Sequence, residues 1–284
     1  MKTILIPTDF SKNAWNTISF AMQFLKAERC KFYFLHTYTP AFYRMDYVLG
    51  GPEFSAIPDK GVDASLSGLE KTLEAVREQF GNPKHIYETI SAFNVLTDEI
   101  EEMVQEKGID LIIMGTQGAS GAKEIFLGTN TVHVIRKATI PIMVIPAGCK
   151  YKPVEKILFT ADYWSKYHRN ELYTAIEIAK TNNAKITVLH IKEEYDLTKE
   201  QEENKAFLSL CLAQVDYEFQ EERGSFMPDA IIEYLEKHPY ELLVMMNRKH
   251  SFFERMLVRQ NVDQIGFHVQ IPFLVIPDTS KSVK

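Results

Sequence analysis

The feature that most constrains this chain is that it repeats itself, which limits the fold to something that can be built twice in tandem. Lys2-Thr3-Ile4-Leu5-Ile6-Pro7-Thr8-Asp9 reads against Glu155-Lys156-Ile157-Leu158-Phe159-Thr160-Ala161-Asp162, each a short apolar run ending in aspartate. Apolar residues at helix spacing follow in both copies: Ala14, Ile18, Ala21, Met22 and Leu25 in one, Leu172, Ala175, Ile176, Ile178 and Ala179 in the other. Then come Phe32-Tyr33-Phe34-Leu35-His36 and Ile186-Thr187-Val188-Leu189-His190. The copies meet again at Asp110-Leu111-Ile112-Ile113-Met114 and Glu241-Leu242-Leu243-Val244-Met245, and close on Ile140-Pro141-Ile142-Met143-Val144-Ile145-Pro146 and Ile271-Pro272-Phe273-Leu274-Val275-Ile276-Pro277.

Strand and helix alternate within each copy, and the strands are apolar throughout instead of every second residue. Such strands are covered on both faces, which predicts a parallel sheet flanked by helices, an α/β fold. Pro146, Gly148 and Pro153 interrupt the pattern before it restarts, so the expected domains are 1–148 and 149–284. The second copy is shorter between its second strand and second helix. In the first copy that connection, roughly Thr39 to Gly61, carries Phe42, Tyr43, Tyr47, Phe54 and a Gly50-Gly51-Pro52 break. A lid, an interface arm, a disordered excursion and a packed Ω-loop all remain open for it.

With 284 residues, 45% hydrophobic and 25% charged, each half can bury its own core. A net charge of −6 disfavours a polyphosphate backbone as partner, and the one compact basic group, Arg248-Lys249-His250, is too small for a nucleic-acid surface. No apolar run is long enough to span a membrane, and Met1 to Phe10 reaches Asp9 before a signal-peptide core could be completed. The expectation is a cytoplasmic protein with neither membrane nor nucleic-acid contact. Cys30, Cys149 and Cys211 form no C-x-x-C pair, which argues against a disulfide framework and a zinc site.

Open parallel sheets bind ligands beyond the carboxyl ends of their strands, where the strand order reverses. Asp9 follows the first strand there and Thr37 the second. A glycine-rich loop follows the fourth: Met114-Gly115-Thr116-Gln117-Gly118-Ala119-Ser120-Gly121-Ala122-Lys123-Glu124-Ile125-Phe126-Leu127-Gly128-Thr129-Asn130-Thr131. Its spacing is glycine, two residues, glycine, nine residues, Gly-Thr. Gly128 to Thr131 precede a short helical run through Val132, Ile135 and Lys137, so their amides and hydroxyls sit at a helix N-terminus, where anionic oxygen is stabilised.

With the opening Pro7-Thr8-Asp9-Phe10-Ser11 and the closing Ile140 to Pro146, this loop resembles the universal stress protein family, across essentially all of residues 1 to 147 and in the ends and strands of the second half. The whole chain resembles a tandem universal stress protein. The resemblance implies two doubly wound, Rossmann-like domains, each a five-stranded parallel sheet of the adenine nucleotide alpha hydrolase type, related by a pseudo-two-fold. It implies an ATP, ADP or AMP site, with or without magnesium. Pro7, Thr8 and Asp9 would hold the adenosine and Thr37 would line the base pocket. Met114 and Gly115 would close over ribose and base, and Gly118, Gly128, Thr129, Asn130 and Thr131 would bind phosphates. Lys123 reads as a solvated loop lysine, with contact to a terminal phosphate as its alternative. The resemblance also implies pairing through the last strands, satisfied between the two halves, with a homodimer of chains as a further option.

The second half departs from this pattern. Opposite Gly115 and Gly118 the alignment puts Asn247 and His250, and opposite Gly128-Thr129 it puts Arg259-Gln260, so one nucleotide per chain is expected. Arg248, Lys249 and His250 read as a solvated loop, with a different anion as the alternative. His36 and His190, at equivalent strand ends, read as backbone-satisfying residues duplicated with the fold, without catalytic or metal-binding roles. Fast phosphoryl transfer needs a metal-holding acid, a base and a cationic clamp. With Asp9 the only acid placed near the site, the expectation is a stress-response regulatory protein. A slow ATP hydrolase or nucleotidyl transferase, and a nucleotide-free interaction module, stand as alternatives.

Overall fold

The computed structural model describes residues 1–38, 60–116, 126–192, 196–224, 227–248, 251, 254, 265–266 and 269–278. The first half runs β1 (Lys2–Pro7), α1 (Lys12–Phe24), β2 (Cys30–Tyr38), α2 (Lys60–Phe80), β3 (His85–Phe93), α3 (Leu96–Lys107), β4 (Leu111–Gly115), β5 (Phe126–Leu127), α4 (Thr129–Lys137) and β6 (Ile142–Ile145). The second runs β7 (Lys156–Thr160), α5 (Arg169–Asn182), β8 (Lys185–Lys192), α6 (Lys199–Leu212), β9 (Tyr217–Arg223), α7 (Met227–Lys237), β10 (Leu242–Asn247), β11 (Ile265–Gly266) and β12 (Phe273–Pro277).

Ten of these strands form one sheet in the order β3-β2-β1-β4-β6-β12-β10-β7-β8-β9. Neighbours within each half are parallel. The central pair is antiparallel, with Val144 opposite Phe273, Met143 opposite Leu274 and Ile142 opposite Val275. Because the order reads the same from either end and reverses direction at the centre, an approximate two-fold relates the halves. A two-stranded ribbon adds a second link, with Leu127 of β5 opposite Ile265 of β11.

Alternation along each strand sends neighbouring side chains to opposite faces, and both faces are buried. On one lie Ile4, Ile6, Phe32, Phe34, Leu111 and Ile113, continuous across the joint with Met143, Ile145, Leu274, Ile276 and Ile157. On the other lie Leu5, Leu35, Ile112 and Met114, continuous with Val144, Phe273, Val275 and Leu158. The two cores are therefore shared between the halves, and the unbroken apolar runs in the sequence follow from this double covering.

Helix ends follow local chemistry. Ser11 caps α1 by accepting the Ala14 amide at 3.1 Å. The acidic stretch at Asp98 and Glu99 opens α3, and Asp98 pairs with Lys137 at 2.9 Å, which lowers its carboxyl pKa. Thr198 caps α6 through a reciprocal pair with Gln201. The start of α6 is partly internal despite its charged residues: Gln201 and Asn204 are buried and donate to the carbonyls of Asp162 and Tyr163. Cys30 and Cys211 are buried and Cys149 half-buried, all as free thiols, and burial pushes the Cys30 thiol up to about 12. Among the described residues no helix is long and apolar enough to cross a membrane. The connection 39–59 lies outside the described residues.

His85 anchors the edge strand β3. It is buried, Nε2 donates to the Leu25 carbonyl at 3.1 Å, and its ring meets Phe32 edge-on. Burial lowers its pKa below the ordinary 6.5. As the folded state favours the neutral ring, the stability this gives is complete above about 6.5 and is lost as pH falls below it, because the unfolded chain takes up the proton first. Urea unfolding at pH 7.5 and 5.5 should show a loss on acidification that is smaller in His85→Gln; an equal loss would mean another group sets the acid sensitivity.

Candidate functional site

The carboxyl ends of β1, β2 and β4 are tied to one another before any ligand is considered. The Thr8 amide donates to the Leu35 carbonyl at 2.8 Å, and His36 Nδ1 donates to the Thr8 carbonyl at 2.8 Å. The residues after β1 turn sharply. Thr8 Oγ1 accepts the Phe10 amide at 3.1 Å, Asp9 Oδ1 accepts the Ser11 amide at 3.0 Å, and Phe10 sits at φ 63°, in left-handed space. At the end of β4, a Cβ on Gly115 would come within 2.8 Å of Asn13 Nδ2 and 3.0 Å of Thr17 Oγ1. Glycine there lets α1 lie directly against the strand. Thr131 Oγ1 donates to the Gly115 carbonyl at 2.9 Å, and the Gly128 amide donates to the Thr116 carbonyl at 2.5 Å, which fastens the start of α4 to β4.

These ties leave a cleft of about 370 Å³, within the roughly 300–1,000 Å³ usual for small-molecule pockets. Pro7, Thr8 and Asp9 line it from β1, Thr37 from β2, Met114 and Gly115 from β4, and Gly128, Thr129, Asn130 and Thr131 from the start of α4. Gly118 and Lys123 lie outside the described residues. Ala14, Leu35, His36 and Leu96 also line the cleft and were not singled out as site residues. His36 and Leu35 could have been found from their place just before Thr37; Ala14 and Leu96 carry no signal in sequence.

The donor set suits an anion. The residue that caps α4, Gly128, has no side chain to close the helix end, so amides of the first turn of this nine-residue helix have no side-chain cap. The apolar walls, Pro7, Leu35, Leu96 and Met114, suit a ring system. An adenine nucleotide combines both, and the residues present fit one. Among the described residues no cluster of three or more His, Cys, Asp or Glu side chains is arranged to hold a metal.

The second half carries the same framework with the space filled. Tyr163 repeats the left-handed turn at φ 60°, Asp162 Oδ1 accepts the Trp164 amide at 2.9 Å, and His190 Nδ1 donates to the Ala161 carbonyl at 2.9 Å. His36 and His190 thus make the same backbone bond, as expected of duplicated structural residues. Strand register corrects one alignment: Gly115 lies opposite Ile145 and Met246 opposite Ile276, so Met246, not Asn247, replaces Gly115. Asn247 corresponds to Thr116, and Arg248 to Gln117. The corresponding space here is about 10 Å³, room for a single water, and Met246 and Arg248 line it.

Arg248 is the principal filler, which corrects its reading as a solvated loop residue; Lys249, His250, Arg259 and Gln260 lie outside the described residues. Arg248 is only 6% exposed, its NH2 pairs with buried Glu171, its Nε lies 3.8 Å from Asp278, and its guanidinium sits 5.3 Å from the Tyr167 ring centre. Glu171 is the third residue of α5, and its side chain is fully buried. The guanidinium, just past the end of β10, reaches in to meet this carboxylate. Burial raises the Tyr167 hydroxyl well above its usual range, so it stays neutral beside this pair. Arg248→Ala should cost on the order of 3–5 kcal/mol, because it strands a buried carboxylate. In a urea double-mutant cycle, adding Glu171→Ala should return part of that loss; strictly additive effects would show the pair is not coupled.

The family model for the universal stress protein family matches residues 1–146 and 194–277. Universal stress protein MJ0577 of Methanocaldococcus jannaschii is 29% identical over 154 residues, which is 51% of this chain and 94% of that protein. A crystal structure of a universal stress protein from Archaeoglobus fulgidus DSM 4304 matches 97% of this chain and 96% of its own, at 16% identity and a TM-score of 0.67, a likeness of fold. A universal stress protein solved in complex with cAMP matches 51% of this chain and 95% of its own, at 16% identity and a TM-score of 0.36. Repeat, sheet order and family model agree: the chain belongs to the universal stress protein family, with two copies of the family's domain in tandem.

Proposed function

We propose that this protein is a regulatory adenine-nucleotide binder of the stress response, with units 1–148 and 149–284, that takes up one ATP, ADP or AMP per chain in the first half. The observation that carries this reading is the contrast between two equivalent positions in one molecule, a cleft of about 370 Å³ in one and about 10 Å³ in the other. In this reading the adenosine lies by Pro7, Thr8, Asp9, Thr37 and Met114, over Gly115. The phosphates meet the amides and hydroxyls of Gly128, Thr129, Asn130 and Thr131, with Gly118 contributing from the loop.

The described lining offers one carboxylate, Asp9, and no lysine or arginine. Such a set suits holding a nucleotide better than rapid transfer of its phosphoryl group, which draws on a cationic clamp. Occupancy rather than turnover is therefore the signal, read by a partner in the cytoplasm. With β6 and β12 paired to each other inside the chain, a homodimer of chains would use a different surface.

The test is to denature purified protein, identify released nucleotide by chromatography, and titrate stripped protein calorimetrically with ATP, ADP, AMP and cAMP, with and without magnesium. One equivalent per chain is expected. Gly128→Leu should weaken binding at least about tenfold by filling the phosphate space, while Arg248→Ala should not raise the stoichiometry above one. No nucleotide and no heat, or unchanged binding in Gly128→Leu, would overturn the assignment.

A further inference from the structure

Beside the cleft the first half has a second opening, a groove of about 300 Å³ between α1 and α2. Thr8 lines both cavities, whereas Phe10 lines only the groove. The Phe10 ring packs on His36, 4.4 Å between centres, and crosses Gly68 of α2 so closely that a Cβ there would come within 2.4 Å of it. Phe10 is nonetheless 38% exposed.

The second half shows that the fold does not require this opening. Tyr163, in the same left-handed turn and packed the same way on His190, is 0% exposed. There α6 closes over the turn: Asn204 donates to the Tyr163 carbonyl at 2.9 Å, Gln201 to the Asp162 carbonyl at 3.0 Å, and Lys205 Nζ stands 5.7 Å from the Tyr163 ring centre. One copy seals the space with its own side chains, and the other leaves it open to solvent.

The open groove has a definite chemistry. Phe10, Trp15 and Ile18 give it an apolar floor. Three of its side chains can donate. Ser11 Oγ and Thr8 Oγ1 already accept backbone amides, at 3.1 Å each, and so offer their O–H, while Lys71 brings an ammonium. The remaining hydroxyl, on Thr72, donates to the Gly68 carbonyl at 2.8 Å. An apolar floor ringed by donors and one cation matches a ligand with a flat or aliphatic body and an anionic acceptor at one end.

We infer that this groove is a second ligand site, for a small apolar carboxylate, held by Phe10, Trp15 and Ile18 through its body and by Lys71 and Ser11 through its carboxylate. It stands apart from the nucleotide reading, since occupancy of the cleft is not needed for it.

The probe is 2-naphthoate, with neutral 2-naphthylmethanol as control, titrated calorimetrically into the full chain. Saturable binding of naphthoate at one per chain is expected, several-fold tighter than the alcohol. Lys71→Gln lies on the exposed face of α2 and should leave the fold unchanged; it should remove most of the preference for the acid, about fivefold, the size of an exposed ion pair. Ala75→Phe, which fills the groove, should weaken both ligands together, with circular dichroism checking that the fold is kept. Absence of saturable naphthoate binding, equal binding of the alcohol by the unaltered protein, or an undiminished preference in Lys71→Gln would overturn the proposal.

Discussion

The rest of the structure depends on the antiparallel pairing of β6 with β12. Each half of the chain ends in a short strand that is apolar on both faces, Ile142–Ile145 and Phe273–Pro277, and either alone would leave a row of unpaired amides and carbonyls beside exposed aliphatic side chains. Paired, they turn two five-stranded sheets into one of ten and carry both hydrophobic layers through the joint without a break. β4 and β10, whose ends border the cleft and its filled counterpart, are the strands next to this pair. The strands left at the outer ends, β3 and β9, are only half-covered, and β9 bears the charges Glu218, Glu221, Glu222 and Arg223 that discourage further pairing.

Duplication gave two sites the same backbone, and side chains alone separate them. The aspartate turn, the left-handed aromatic and the histidine bonded to the neighbouring strand's carbonyl persist in both copies. What differs is volume and charge. Where Gly115 leaves space, Met246 and Arg248 line what remains, and the guanidinium pairs with the buried Glu171 carboxylate because a charge in that environment must be paired. A cavity lined with uncompensated polar groups would be costly to maintain; filling it with an internal ion pair is one stable outcome when no ligand is retained.

Much of this could be read in the residues. The continuous apolar runs gave the parallel, doubly covered sheet, and the repeat gave the tandem arrangement, because both depend on local periodicity. The cleft residues beside strand ends were also accessible, since α/β sheets place ligands there. The role of Arg248 was not, because its partner Glu171 is 77 residues away and nothing in a basic triplet distinguishes a solvated arginine from a buried one. The exchange of Asn247 for Met246 opposite Gly115 was, by contrast, legible: pairing Met114 with Met245 already puts Gly115 opposite Met246, and the register of β10 with β12 agrees. The limit met at Arg248 applies also to Gln201 and Asn204, which look like an exposed helix start until α6 is seen lying over Tyr163.

Asn247 stands at the end of β10, the strand that borders the filled site, and its amide donates across the joint to the carbonyl of Ile135 at 2.9 Å. Ile135 lies in the last turns of α4, the helix whose opposite end faces the cleft. The copy whose own site is filled therefore clamps the far end of its sister's cleft-facing helix, while the β5 and β11 ribbon holds the chain just before that helix begins. The second half is a buttress: its value to the first lies in fixing the aim of a helix, something a domain can go on doing after its own pocket has gone.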